Sequence, residues 1–181
     1  MPNEPSRTTK TERILSVYHL FSHCDEVSMK ELINNLHGSK KTFSRDITIL
    51  KKAGVQIRYS VKRQAFVVES WQHTKPDITG GKSDARYISK IRRLITCVDD
   101  MPNEDCDKWY SEFIPEASNR TMQRDFATLN AIGYEIKYER KVFNMHDAGY
   151  DVPINRYYLD KPKGAYSLLT FKPTRVEQNI V

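Results

Sequence analysis

Lys41, Ser44 and Thr48 stand three and four residues apart, the spacing that lines side chains along one face of an α-helix. Lys40 precedes them, Arg45 lies on the shoulder of that face, and Lys52 follows near its end. Farther along, Arg120, Gln123 and Ala127 repeat the spacing, flanked by Asn119, Arg124 and Asn130. These side-chain types bond to base edges in a major groove: Arg or Lys to guanine, Asn or Gln to adenine, Ser or Thr to either, with the cations also reaching phosphate. A merely solvated helix face would accept the same residues. The face occurs twice, each time ahead of a strand pair, and that tips the reading toward DNA.

The two faces belong to one repeated unit. Residues 39–60 read SKKTFSRDITILKKAGVQIRYS and residues 118–139 read SNRTMQRDFATLNAIGYEIKYE, ungapped at an offset of 79. Identities fall at Ser39/Ser118, Thr42/Thr121, Arg45/Arg124, Asp46/Asp125, Leu50/Leu129, Gly54/Gly133, Ile57/Ile136 and Tyr59/Tyr138. A repeat of this length implies two copies of one supersecondary unit. Ser39 and Ser118 suit N-caps, since a serine hydroxyl accepts from the orphan N–H groups of a first turn. Phe43, Ile47 and Leu50, and again Met122, Phe126 and Leu129, form an apolar stripe opposite the polar face. Gly54 and Gly133 stand where a left-handed residue closes a helix, and Ile57-Arg58-Tyr59 and Ile136-Lys137-Tyr138 then alternate as strands do. The aspartates are expected to orient a cation on the wing or the preceding helix, while the arginines reach phosphate; neither aspartate is read as catalytic.

The elements that would position these faces lie upstream of each. Ile14, Leu15, Val17, Tyr18, Leu20 and Phe21 follow a helical pattern, and Ser28-Met29-Lys30-Glu31 has the S-x-x-E form of a capping box opening a second helix. Helix, helix, turn, helix and β-hairpin make a winged helix-turn-helix whose third helix enters the groove. The first wing is expected over 57–68 with Lys62 and Arg63 at its tip, suited to sugar-phosphate. The second copy is expected to run from a helix at about 85–98, through one around 104–113, to 119–131. Its longer wing, from Ile136 to Leu159, would have a polar tip around Asn144–Asn155 and a closing strand over Arg156–Leu159.

The run VSMKELINNLHGSKKTFSRDITILKKAGVQIRYS resembles the amino-terminal winged helix of DeoR-type and WYL-domain bacterial transcription regulators, in which Ser-x-x-Thr-x-x-Arg-Asp opens the recognition helix and Leu-x-x-x-Gly ends it. The positions here are Ser39, Thr42, Arg45, Asp46, Leu50 and Gly54. The resemblance covers residues 12–69 well and 84–160 more loosely. It implies DNA binding by the third helix, with Arg45 and its neighbours at the DNA. Such regulators carry a ligand-sensing domain after this part, which 181 residues leave no room for; a separate sensor subunit or a longer chain would supply it.

The expected fold is therefore mainly α with small β-hairpins (α+β), arranged as tandem winged helix-turn-helix domains. A flexible leader occupies 1–9, the first domain 10–69, a linker 70–83 anchored by Trp71, the second domain 84–160 and a tail 161–181. The net charge of +6 favours a polyanionic partner. Between Ser39 and Arg63 the cations Lys40, Lys41, Arg45, Lys51, Lys52, Arg58, Lys62 and Arg63 face Asp46 alone, whereas the second copy mixes Arg120, Arg124, Lys137, Arg140 and Lys141 with Asp125, Glu135 and Glu139. About six phosphate contacts in the first copy would weaken binding roughly a thousandfold between 50 and 200 mM salt.

Enzymatic and cofactor chemistry finds no footing. Cys24, Cys97 and Cys106 form no CxxC pair, so zinc is not expected, nor is any other metal or cofactor. No phosphate loop, GxSxG or HExxH is present. No secretory signal or membrane-length apolar run appears, and a cytoplasmic, nucleoid-associated protein is expected. Tyr166, Leu168, Leu169 and Phe171 of the tail would either add a strand to the second unit or pair with another chain, so a homodimer through the second domain or the tail stays open. The readings that remain are a sequence-specific regulator binding duplex DNA through Ser39, Lys40, Lys41, Thr42, Ser44, Arg45, Thr48, Lys62, Arg63, Asn119, Arg120, Thr121, Gln123 and Arg124; a plasmid or phage replication initiator; and a winged-helix pair used for protein contacts in chromosome segregation.

Overall fold

The computed structural model describes residues 8–70, 73–145 and 150–160, and these form a mixed α+β protein with small antiparallel sheets. The order is α1 (Lys10–His23), β1 (Glu26–Ser28), α2 (Met29–Leu36), α3 (Lys40–Lys52), β2 (Gln56–Ser60), β3 (Ala65–Ser70), α4 (Lys82–Asp100), α5 (Cys106–Phe113), α6 (Asn119–Ala131), β4 (Ile136–Met145) and β5 (Tyr150–Leu159). Two compact units divide between Ile95 and Thr96, inside α4. The leader up to residue 7, Trp71 and the tail from 161 lie outside the described residues.

The first unit starts from well-formed helix ends. Thr9 and Glu12 make a capping box at α1, and Ser28 and Glu31 make the one expected from S-x-x-E at α2. Ser39 Oγ accepts from the Thr42 amide to cap α3. With the ends satisfied, the apolar stripes meet: Ile14, Leu15 and Phe21 of α1, Leu32 of α2, and Phe43, Ile47 and Leu50 of α3 are all buried. β2 and β3 pair antiparallel with Tyr59 opposite Phe66, and β1 adds a third strand on β3, Val27 opposite Phe66. Three residues of strand are too few to show an alternation, so β1 left no trace in the sequence pattern.

Both recurring glycines close their helices as expected. Gly54 has φ +100 and Gly133 φ +99. Around Gly54 the amides of Gly54 and Val55 donate to Lys51 O and Leu50 O; around Gly133 those of Gly133 and Tyr134 donate to Asn130 O and Leu129 O. That paired pattern is a Schellman motif, with Val55–Leu50 and Tyr134–Leu129 as its apolar partners. Gly54 is doubly constrained, since a Cβ there would sit 2.2 Å from the Thr74 carbonyl oxygen.

The segment after β3 is bonded to the first unit rather than hanging between units. The Thr74 amide donates to Gly54 O at 2.9 Å, the Asp77 amide to Lys52 O at 2.7 Å, and His73 Nε2 meets the Tyr18 hydroxyl at 3.1 Å. The first half of α4 continues this packing: Ile88 and Ile91 are buried, Tyr87 reaches Thr11, and Arg92 reaches the Ala53 carbonyl. Burial pushes the Tyr87 phenol above its ordinary pKa.

In the second unit α5 and α6 pack with the β4–β5 hairpin through Tyr110, Met122, Phe126, Leu129 and Ile136. The hairpin is paired from Ile136↔Leu159 to Met145↔Tyr150. Ladder pairing thus takes in residues 144 and 145 and 150–155, which the polarity of the sequence assigned to a loop; a two-stranded ribbon tolerates polar residues, and Pro153, because it has no central strand. Residues 146–149 of the expected wing tip lie outside the described residues.

Candidate nucleic-acid interface

The polar faces stand on helices that the fold holds in matching fashion. From Lys40/Asn119 to Lys51/Asn130, each position of α3 has the same degree of burial as its partner in α6. Lys40, Lys41, Ser44, Arg45 and Thr48 are exposed and line one open concavity on α3. Asn119, Arg120, Gln123, Arg124 and Ala127 are exposed on α6.

Side-chain bonding sorts these residues by availability. Ser39 Oγ and Thr42 Oγ1 lie 2.8 Å apart and Ser118 and Thr121 3.0 Å apart, each pair occupied at the cap. Thr48 Oγ1 donates to Ser44 O at 2.8 Å, leaving its methyl and oxygen lone pairs for a ligand. Lys40, Lys41, Ser44 and Arg45, with Arg120, Gln123 and Arg124, make no side-chain hydrogen bond or ion pair among the described residues. Asn130, which flanks the second face, is instead pinned to β4: it donates to Ile136 O at 2.9 Å and accepts from the Ile136 amide at 2.8 Å.

The paired aspartates sit behind these faces, each 1% exposed. Asp46 is clamped by Arg13, Nε to Oδ2 at 2.6 Å and Nη2 to Oδ1 at 3.1 Å, which holds the guanidinium above its ordinary pKa. Asp125 accepts from the Tyr110 hydroxyl at 2.6 Å. For Asp46 the expected cation on the wing or preceding helix is therefore corrected, since its partner Arg13 comes from α1, while the helix preceding α6 gives Asp125 a hydrogen bond from a phenol. Arg13 precedes the repeated window, so the repeat could not point to it.

The two hairpins differ from a simple reading of their cations. Lys62 and Arg63 do lie at the exposed β2–β3 turn, but Arg63 reaches Glu26 at 3.4 Å and Arg58 meets Glu69 at 2.5 Å. In the second unit Lys137 pairs with Asp160 and Glu135, and Arg156 with Glu139, Glu104 and Asp105. Asp160 holds the Lys137 ammonium, and Glu139 the Arg156 guanidinium, above their ordinary pKa values. Lys40, Lys41, Arg45, Lys51 and Lys62 stay outside ion pairs among the described residues. Lys10 joins them spatially: with its ammonium 4.7 Å from the Tyr87 ring centroid, it borders a groove shared with Arg45, Thr48, Lys52 and Asp84. A lone lysine at a helix start carries no sequence signal, so it escaped notice.

Among the described residues no group of His, Cys, Asp and Glu is placed to hold a metal ion, and no helix is long and apolar enough to cross a membrane. Cys97 and Cys106 are buried as free thiols. No protein-family model matches the chain, and no curated protein or solved structure matches it either.

Proposed function

We propose that this protein is a sequence-specific, double-stranded DNA-binding transcription regulator built from tandem winged helix-turn-helix units, akin to the DeoR-type and WYL-domain regulators. The helices α3 and α6 enter the major groove, and the turn carrying Lys62 and Arg63 meets the backbone. One observation carries the reading: the face of Lys40, Lys41, Ser44, Arg45 and Thr48 is exposed on a capped helix, with its cations unpaired among the described residues. Cations left unpaired on such a helix suit a polyanion whose counterions they displace.

The test is selection of bound fragments from random and genomic DNA, followed by salt titration of the best site against scrambled duplex. A defined motif held above physiological salt supports the reading. Binding that is weak and equal on all sequences overturns sequence-specific recognition. A promoter site points to regulation, and iterated origin sites point to a replication initiator. One observation favours protein contact for part of the second unit: Trp109 and Phe113 stack 5.3 Å apart on α5, with Phe113 65% exposed. Absence of any DNA affinity would promote that alternative to the main role.

A further inference from the structure

The internal repeat supplies a test of purpose that a single unit lacks, because the same side chain at the same place in two copies calls for a reason. The fold explains six of the eight identities. Ser39/Ser118 and Thr42/Thr121 build the caps. Asp46/Asp125 accept buried hydrogen bonds, Leu50/Leu129 and Ile57/Ile136 are core, and Gly54/Gly133 take the left-handed conformation. Two identities remain exposed. Arg45/Arg124 belong to the faces already described. Tyr59 and Tyr138 are 46% and 55% exposed.

These tyrosines are held alike. Tyr59 stands opposite Phe66 across the ladder, ring centroids 5.0 Å apart at 61°; Tyr138 stands opposite Tyr157, 5.0 Å apart at 54°. The supporting rings run on to a helix, Phe66 to Phe21 at 6.5 Å and Tyr157 to Phe126 at 5.3 Å. Each phenol therefore stands on a braced ring at the hairpin that follows the reader helix, and its hydroxyl has no hydrogen-bond partner among the described residues. Ring packing alone would be served by phenylalanine, which would leave no polar group exposed on a strand. A phenol held this way is a ready donor to a phosphate oxygen.

We propose that Tyr59 and Tyr138 each donate a hydrogen bond to one backbone phosphate of the bound duplex, so that both units dock on DNA in the same pose, Arg45 with Tyr59 and Arg124 with Tyr138. This inference rests on the DNA-binding reading and extends it to one tyrosine on the hairpin of each unit. Equivalent tyrosines meeting equivalent phosphates would set the rotation of each unit about its reader helix, since two anchor points on different elements fix an orientation that one leaves free.

The experiment uses the full chain and measures duplex affinity, salt slope and urea midpoint for wild type, Tyr59→Phe, Tyr138→Phe, the double variant and Arg45→Ala. Each Phe variant keeps its ring, so its urea midpoint should be unchanged while affinity for selected and scrambled duplex falls together, by about tenfold for a hydrogen bond to a charged group. The double variant should lose about a hundredfold, with the salt slope unaltered because no cation is removed. Wild-type affinity in both Phe variants, beside a weakened Arg45→Ala, overturns this inference and leaves the DNA-binding reading standing. Loss in Tyr59→Phe alone overturns the shared pose. Absence of binding by the wild-type chain overturns both.

Discussion

At the residue scale, the buried carboxylates show that a repeated residue takes its partners from elements outside the repeated window. Asp46 is balanced by a two-point guanidinium and Asp125 is reached by a phenol. Arg13→Ala would strand a carboxylate that is 1% exposed, and should lower stability by about 3 kcal/mol in urea unfolding. Asp46→Ala should cost less, because Arg13 is 25% exposed and can turn to water. Tyr110→Phe removes a hydrogen bond to a charged acceptor and should cost about 2 kcal/mol. Cys106 offers a pH test. Burial pushes its thiol up to about 11 from an ordinary 9.0. The folded state therefore holds this proton more tightly than the unfolded state does. Its contribution is complete below pH 9 and is lost as pH rises from about 9 toward 11. Cys106→Ala should flatten the stability decline over that window, and the thiol should resist alkylation at neutral pH until the chain is unfolded.

At the element scale, α3 is a capped and closed helix whose exposed Lys41, Ser44 and Arg45 side chains make no hydrogen bond or ion pair among the described residues. Replacing Lys41, Ser44 and Arg45 together by Ala should leave the urea midpoint within about 0.5 kcal/mol of wild type and abolish specific DNA binding. Retained affinity for the selected site would remove α3 from the interface. The helix end behaves oppositely: Gly54→Ala adds a Cβ against a backbone oxygen at positive φ, and should destabilise by at least about 2 kcal/mol. Caps, stripes and closing glycines of α3 and α6 were legible because each is local, set by residues within four positions. The bonding of Asn130 to β4 was not legible, since an exposed asparagine looks equally suited to adenine.

At the scale of the whole molecule, charge is divided unevenly between the units. Among the described residues the first unit keeps Lys40, Lys41, Arg45, Lys51 and Lys62 outside ion pairs, while the acids of the second unit answer Lys137 and Arg156. Arg58 and Arg63 are also answered, by Glu69 and Glu26. With about five phosphate contacts, the slope of log affinity on log salt should be near −4.5, a loss of several hundredfold between 50 and 200 mM. A slope near zero would mean that the cationic face is not at the phosphates. The proposed reading of DNA by both α3 and α6 predicts a selected site of two dissimilar halves in direct or asymmetric order, because Lys41, Ser44 and Thr48 present different groups from Arg120, Gln123 and Ala127.

The sequence by itself determined the helices, their caps, their apolar faces and the duplication, because these follow from the period of a helix and the chemistry of its ends. It also located the polar faces, which are what remains once the apolar stripe is assigned. Only the tertiary structure decided which of those polar groups are free. Ser39 and Thr42 turned out to serve each other, and Arg58 and Arg63 met acids distant in sequence. Asp46 found Arg13, thirty-three positions upstream. Hydrogen bonds and ion pairs between separate elements depend on how helices and strands come together in space, and no periodicity along the chain records that meeting.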